Sequence, residues 1–349
     1  MNASVDMVAL FRAELALCKV GSGQVLAVLS EGATRADYAQ AFLVAAQELG
    51  ATAFHLNVPS KPTFRSDQLS GNVGKTALEG NRPAIDALKR VDIVIDLMGL
   101  LFSQEQNELT AAGVRVLLVV EPVNVLMQMF PTADLRRRVE FAGNLLSRSK
   151  ELRVTSEAGT DIRYGLSQYP VLTEYGYTDT PGRWDHWPSG FLLTQGNDQD
   201  VNGTVVLMPG DICTAFHRYI QTPVQLTVKK GIVTVISGDG MDAPLMRSYI
   251  ESFQDNRAYA VAHIGWGLNE KANWHHTAAS REPDVVGMHG LAFYGNVLFS
   301  MGPNTEVGGK NDTQCHIDLP MRNCTLTLDG KTIVDKGRIV PEEMRVPGR

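Results

Sequence analysis

His316 and Asp318 form an H-x-D pair at the end of the segment Gly295–Asp318, GNVLFSMGPNTEVGGKNDTQCHID. On a strand, residues i and i+2 point to the same face, so this imidazole and this carboxylate can reach one point in space. Gly302, Pro303, Gly308 and Gly309 interrupt the apolar runs ahead of the pair, which predicts strand, long turn, strand. A third donor, His263, ends an apolar run in AYAVAHIGWGLNEKANW, where Gly265 and Gly267 let another backbone or a ligand come close. Two imidazoles and one carboxylate, with positions left over, suit non-haem Fe(II), and zinc takes the same donors. H-x-D pairs also arise by chance, and His263 lies 53 residues before His316. Spacing alone therefore leaves a metal site and an ordinary buried pair both open.

His186 stands out for its neighbours. In GRWDHWPSGF it sits between Trp184 and Trp187, beside Arg183 and Asp185. Aromatic walls with a few polar groups describe either a packed loop or a pocket for a flat ligand. His55 falls in an apolar run and reads as structural, and His217, His275, His276 and His289 lie in polar or loop surroundings. Several motif fragments fail. GNVGKT (71–76) has Leu69 where a phosphate loop needs glycine, and no strand leads into it. Gly21 and Gly23 precede the first predicted strand instead of following it, so they make no dinucleotide fingerprint. The calcium-loop-like run from Asp198 reaches Pro209 where a glutamate is required. No H-E-x-x-H or G-x-S-x-G occurs.

The elements that must position these residues follow from periodicity. A chain of 349 residues, 44% hydrophobic and 20% charged, has room for two domains. Residues 3–18 predict an amphipathic helix, with no signal-peptide order of charge, apolar core and cleavage site. Strands are expected over 24–30, 51–58, 91–97 and 114–120, with helices between them: one capped by Thr34 and ending at Gly50, then 81–89 and 104–112, followed by helices near 122–129 and 132–149. This alternation predicts a doubly wound parallel-sheet α/β domain over residues 1–150, with ligands expected at the strands' carboxyl ends. From Leu152 onward, short strands with glycine-containing turns predict a β-rich α+β domain over 151–349, with one helix near 242–253 and a loose tail, PEEMRVPGR. A net charge of -6 offers no basic field for nucleic acid or an anionic membrane, and no apolar run reaches the length of a spanning helix. Cys18, Cys213, Cys315 and Cys324 form no C-x-x-C, so reduced thiols and a cytoplasmic location are expected.

Three segments carry a specific resemblance: TEYGYTDTPGRWDHWPSGF (173–191), AHIGWGLNEKANW (262–274) and AFYGNVLFSMGPNTEVGGKNDTQCHIDLPMRNC (292–324). They resemble the 2,5-dihydroxypyridine 5,6-dioxygenases of bacterial nicotinate degradation, and LLVVEPVNVL and TALEGN extend the likeness into the first half. More distantly, GTDIRY, the GG-loop and HID followed by LDG resemble M29-type metallo-aminopeptidases, which implies an aminopeptidase-like scaffold. The closer resemblance implies an Fe(II) cofactor held by His263, His316 and Asp318. It implies a hydroxypyridine and O2 as substrates, opening of the ring between C5 and C6 to N-formylmaleamate, and a homo-oligomer. It also implies His186 and Glu174 in catalytic roles, with a salt bridge as the plain alternative for Glu174, and Trp184 and Ser300 near the substrate. One departure stands out: where that family has LLHSPEQ, this chain has LLFSQEQ, with Phe102 in the histidine's place. Phe102 is expected to stack on a flat ring, and the exchange leaves open a differently substituted ring as substrate. An aminopeptidase-type hydrolase, which needs a second metal, and a sensor that binds hydroxypyridines without turnover are the other readings.

Overall fold

The computed structural model describes residues 6–60, 73–280 and 285–346. Residues 71–72 of GNVGKT, the start of the first expected helix and the last three residues of the expected tail lie outside these. In chain order the strands are β1 (Val25–Glu31), β2 (Thr52–Val58), β3 (Ile93–Asp96), β4 (Arg115–Leu118), β5 (Glu151–Thr155), β6 (Asp161–Gly165), β7 (Val171–Glu174), β8 (Trp184–His186), β9 (Phe191–Gln195) and β10 (Val201–Leu207). They continue as β11 (Ile212–Cys213), β12 (Arg218–Tyr219), β13 (Val224–Lys229), β14 (Ile232–Ser237), β15 (Val261–Gly267), β16 (Val297–Met301), β17 (Ile317–Met321), β18 (Thr325–Leu328), β19 (Lys331–Asp335) and β20 (Arg338–Ile339). The helices are α1 (Met7–Leu17), α2 (Ala36–Glu48), α3 (Arg82–Leu88), α4 (Gln104–Ala111), α5 (Val123–Gln128), α6 (Ala133–Ser147), α7 (Asp242–Ser252), α8 (His276–Ala279) and α9 (Met288–Leu291).

Packing divides the described chain into two units: residues up to 60, 73–131 and 175–188 in one, and 132–174 with 189 onward in the other. The single cut expected near residue 150 does not capture this grouping. Helix α6 belongs with the second unit, and 175–188 returns to the first. The first unit is a parallel sheet in the order β2-β1-β3-β4-β8, as the α/β alternation requires. Its central strands are buried on both faces, as in parallel sheets generally, and Leu29, Val94, Val116, Leu88 and Leu109 form a continuous buried cluster. Ser30 Oγ lies 2.7 Å from His55 Nε2, the structural role expected of that histidine. Thr34 does not cap α2. Arg35 takes the N-cap position with φ 52°, and its guanidinium binds the Val120 carbonyl, so the helix starts one step later without a side-chain cap.

The second unit is antiparallel. One sheet runs β14-β13-β10-β6-β5-β18-β19-β20, a second runs β17-β16-β15-β9-β7, and β11 pairs with β12. Glycine turns make the hairpins where expected, as at Gly159 (φ 107°) between β5 and β6. The tail is not loose over its described part. A 3-10 turn at Glu342–Met344 buries Met344, and the Tyr294 hydroxyl donates to the Met344 carbonyl at 3.2 Å. Among the described residues no helix is long and apolar enough to cross a membrane.

Candidate metal centre

The adjacent strands β15, β16 and β17 bring the three donors together within the second unit. His263 lies on β15, Asp318 on β17, and His316 one residue ahead of β17. Each offers a ligand atom, all within 4.8 Å of one another, and all three residues are buried. His263 Nε2 lies 3.4 Å from Asp318 Oδ1, and His316 Nε2 lies 3.1 Å from Asp318 Oδ2. Among the described residues this is the one group of three or more such donors close enough to share an ion.

The local backbone explains why these side chains converge. The β15–β16 register shifts between Val261 and Ile264, so His263 sits in an irregular stretch that re-aims its side chain. A bulge leaves backbone groups without ladder partners, and Ser300 of β16 supplies them. Its hydroxyl accepts from the His263 N–H at 2.9 Å and donates to the His263 carbonyl at 3.0 Å. Gln195 Nε2 donates to the Val261 carbonyl at 2.9 Å, which holds the other end of the same stretch. The glycines are required by close approach. A Cβ at Gly265 would lie 1.9 Å from the Leu192 carbonyl oxygen. At Gly302 (φ 133°) it would lie 3.0 Å from His316 Nδ1 and 2.5 Å from the Cys315 carbonyl oxygen, so any side chain there pushes on a donor ring.

Electrostatics divide the two imidazoles. Burial pushes His263 down to about 4, with Asp318 opposing and His316 reinforcing. Burial also acts to lower His316, but the Asp318 charge and hydrogen bond, Glu306 and the Met301 carbonyl outweigh it and raise the ring above 6.5. Burial would raise Asp318, yet His316 and His263 hold it below 3.8. The donors fit a divalent ion: one imidazole held neutral, one carboxylate held ionised, and Asp318 Oδ1 and His263 Nδ1 buried without hydrogen-bond partners. Metal binding must displace the proton from His316. Lower pH favours that proton, so affinity for a probe such as Co(II) is expected to fall about tenfold per pH unit below the raised His316 value. The fall should steepen near the His263 value of about 4. Spectrophotometric Co(II) titration between pH 4 and 8 checks this, and a flat affinity would contradict it.

The other expected residues fall in different places. His186 ends β8, a three-residue strand in register with β4 (Leu118↔His186), and is buried at the carboxyl edge of the parallel sheet. Its backbone N–H donates to Asp185 Oδ1 at 2.9 Å, and Asp185 is braced by Arg183 Nη2 at 2.6 Å and by the Tyr175 and Gly176 N–H groups. Trp184, expected at the substrate, packs against the hydrophobic cluster of the first unit. Trp187 is fully buried against Phe11 and Phe130, so the aromatic pair flanking His186 serves the core. Phe102 is half-buried in the turn after β3 with φ 60°. Asp96 ties down the start of that turn, accepting from Met98, Gly99 and Leu100 N–H at 3.0, 2.9 and 2.7 Å, and Ser103 caps α4 at its end. Glu174 ends β7, buried, and accepts from the Ser189 hydroxyl at 3.2 Å.

One residue escaped the sequence reading. Glu306 lies in the 3-10 turn Thr305–Val307 that joins β16 to β17, and its Oε2 is buried without a hydrogen-bond partner. Its signal was its position, the only acid between Gly302 and Gly309 in the turn ahead of the H-x-D pair.

Comparison with known proteins places the whole chain. A solved structure of AmpT from Thermus thermophilus superposes with a TM-score of 0.59 at 12% identity, covering 96% of this chain and 99% of that one. The chain thus has the mixed α/β fold of that structure, the scaffold that the more distant resemblance implied. It belongs to the 2,5-dihydroxypyridine 5,6-dioxygenase family, whose model matches residues 6–341. A curated 2,5-dihydroxypyridine 5,6-dioxygenase of Pseudomonas putida KT2440 is 44% identical over 345 residues, 98% of each chain. A solved structure of the 2,5-dihydroxypyridine dioxygenase of that organism matches with a TM-score of 0.95 at 43% identity, covering 98% of this chain and 100% of that one.

Proposed function

We propose that this protein is an Fe(II)-dependent 2,5-dihydroxypyridine 5,6-dioxygenase that consumes O2 and opens the ring between C5 and C6 to N-formylmaleamate. The buried His263, His316 and Asp318 set, within a chain 44% identical to a curated enzyme of that name, carries the reading. When bound, the iron would supply the redox chemistry that lets O2 react with an electron-rich ring. The chain's own residues do the rest. His263, His316 and Asp318 hold the ion with positions to spare, and Ser300 fixes the His263 backbone. His186 removes a proton from a ring hydroxyl, which makes the ring a better electron donor. Glu174, hydrogen-bonded to Ser189, supports that proton transfer. Phe102 offers a flat face for the ring and no proton-transfer group. The four buried free thiols suit a cytoplasmic enzyme.

The exchange at Phe102 favours a second reading, the same chemistry on a less polar or differently substituted hydroxypyridine. Aerobic incubation of Fe(II)-loaded protein with a panel of dihydroxypyridines, following ring absorbance and O2 uptake, tests both. Stoichiometric loss of ring and O2 with 2,5-dihydroxypyridine is the expected outcome. Uptake with another ring alone selects the second reading, and no uptake with any ring rejects both.

A further inference from the structure

We propose that Glu306 is a substrate-contacting residue, whose carboxyl hydrogen-bonds a polar atom of the ring bound beside the His263, His316 and Asp318 set. This deepens the function proposed above and rests on it. Glu306 is partly exposed as a residue, but its Oε2 is buried and has no hydrogen-bond partner. A buried carboxyl oxygen with nothing to bind is a standing penalty that native structures rarely carry without a use. Its turn joins β16 to β17, which carries Asp318 and follows directly on His316, so Glu306 lies on the connection that leads into two of the three donors. It is not one of the grouped donors, which places it outside the coordinating set. A carboxyl near a metal set, yet not part of it, is suited to bind what the metal binds.

The turn holds Glu306 in place. A Cβ at Gly309 would lie 2.0 Å from Asn304 Oδ1, and that oxygen accepts from the Asn311 N–H at 2.9 Å. Asn311 Nδ2 in turn donates to the Gly302 carbonyl at 2.6 Å and the Arg257 carbonyl at 3.1 Å. The two flanks of the 3-10 turn are thus tied to each other, and Asn311 anchors them to Gly302 just after β16 and to Arg257 just ahead of β15. A carboxyl accepts hydrogen bonds and, when protonated, also donates one, and a dihydroxypyridine offers partners of both kinds in its two oxygens and its ring nitrogen.

The test is anaerobic binding of 2,5-dihydroxypyridine to Fe(II)-loaded wild type, Glu306→Gln and Glu306→Leu, with iron content and melting temperature measured on each. Glu306→Leu is expected to bind the ring about tenfold more weakly or worse, the loss of roughly one hydrogen bond, with iron stoichiometry unchanged. Glu306→Gln keeps a donor and an acceptor and is expected to stay within about threefold of wild type. If Glu306→Leu fails to fold, Glu306→Asp replaces it. Shortened by one methylene, it is expected to bind about fivefold more weakly with iron retained. Ring binding within twofold of wild type in the Leu or Asp variant overturns the proposal, as does loss of iron from either. Failure of the wild type itself to bind the ring overturns the proposed function and this proposal with it.

Discussion

Asp318→Ala protein is expected to retain no iron after gel filtration and to lose turnover by at least about a thousandfold. Asp318 is the only carboxylate in the set, it faces both imidazoles at 3.4 and 3.1 Å, and its Oδ1 has no other partner. Two neutral imidazoles alone bind Fe(II) weakly, because the charge that offsets the cation is gone. The fold should survive. Asp318 is itself buried against the pull of desolvation, and without it His316 can shed its proton and remain neutral. Denaturant unfolding of the metal-free variant is expected within about 2 kcal/mol of wild type. Asp318→Asn keeps the shape without the charge and should fail in the same way. Stoichiometric iron and normal turnover in either variant would reject the metal centre.

The second large effect is expected at His186. Replacement by alanine should lower kcat by roughly a hundredfold to ten-thousandfold, the range for loss of a general acid–base group. Iron content should not change, since His186 lies on β8 of the first unit and the donors lie on the second. The lost group should also remove one limb of the pH profile of kcat/KM. A kcat within threefold of wild type, with the profile intact, would reassign the proton transfer to another group. Asp185 offers a control. It fixes the backbone of His186 and not its ring, so damage through Asp185→Asn should appear as lost stability before lost chemistry.

Much of the first unit is written in apolar runs. VLAVLSE, IVID and RVLL are buried on both faces, and a parallel sheet needs this continuous pattern. Strand β8 has no such pattern. Its three residues, Trp-Asp-His, become a strand only because β4 pairs with them from 68 positions away, Val116 with Trp184 through Leu118 with His186. Helix α6 was legible as a helix, but an amphipathic face does not name its partner. Arg138, fully buried and bonded to Glu270 and the Leu268 carbonyl, ties it to the second unit. At the candidate metal centre the H-x-D pair was legible as two side chains able to share a face, although His316 falls one residue ahead of β17. His263 was singled out by the apolar run and the glycines around it, but its spacing did not tie it to the pair, because a bulge held by a serine hydroxyl from the next strand leaves no periodic mark. Glu306 was hidden by its company, an acid in a turn of glycines and asparagines with one proline, where charge normally means solvent.

Phe102 stands in a left-handed bend, φ 60°, between an aspartate that ties the turn's start and a serine that caps the helix after it. For a bulky side chain that conformation costs roughly 1–2 kcal/mol, whereas histidine, asparagine and glycine adopt it far more readily. The bend is imposed by its neighbours and not by Phe102, so it persists whatever occupies the position. The turn therefore works as a socket. Its occupant can be exchanged by a single substitution without rebuilding the loop, and exchange to glycine, asparagine or histidine relaxes the backbone. On the function proposed above, this is a position where the chemistry offered to the ring can change faster than the architecture.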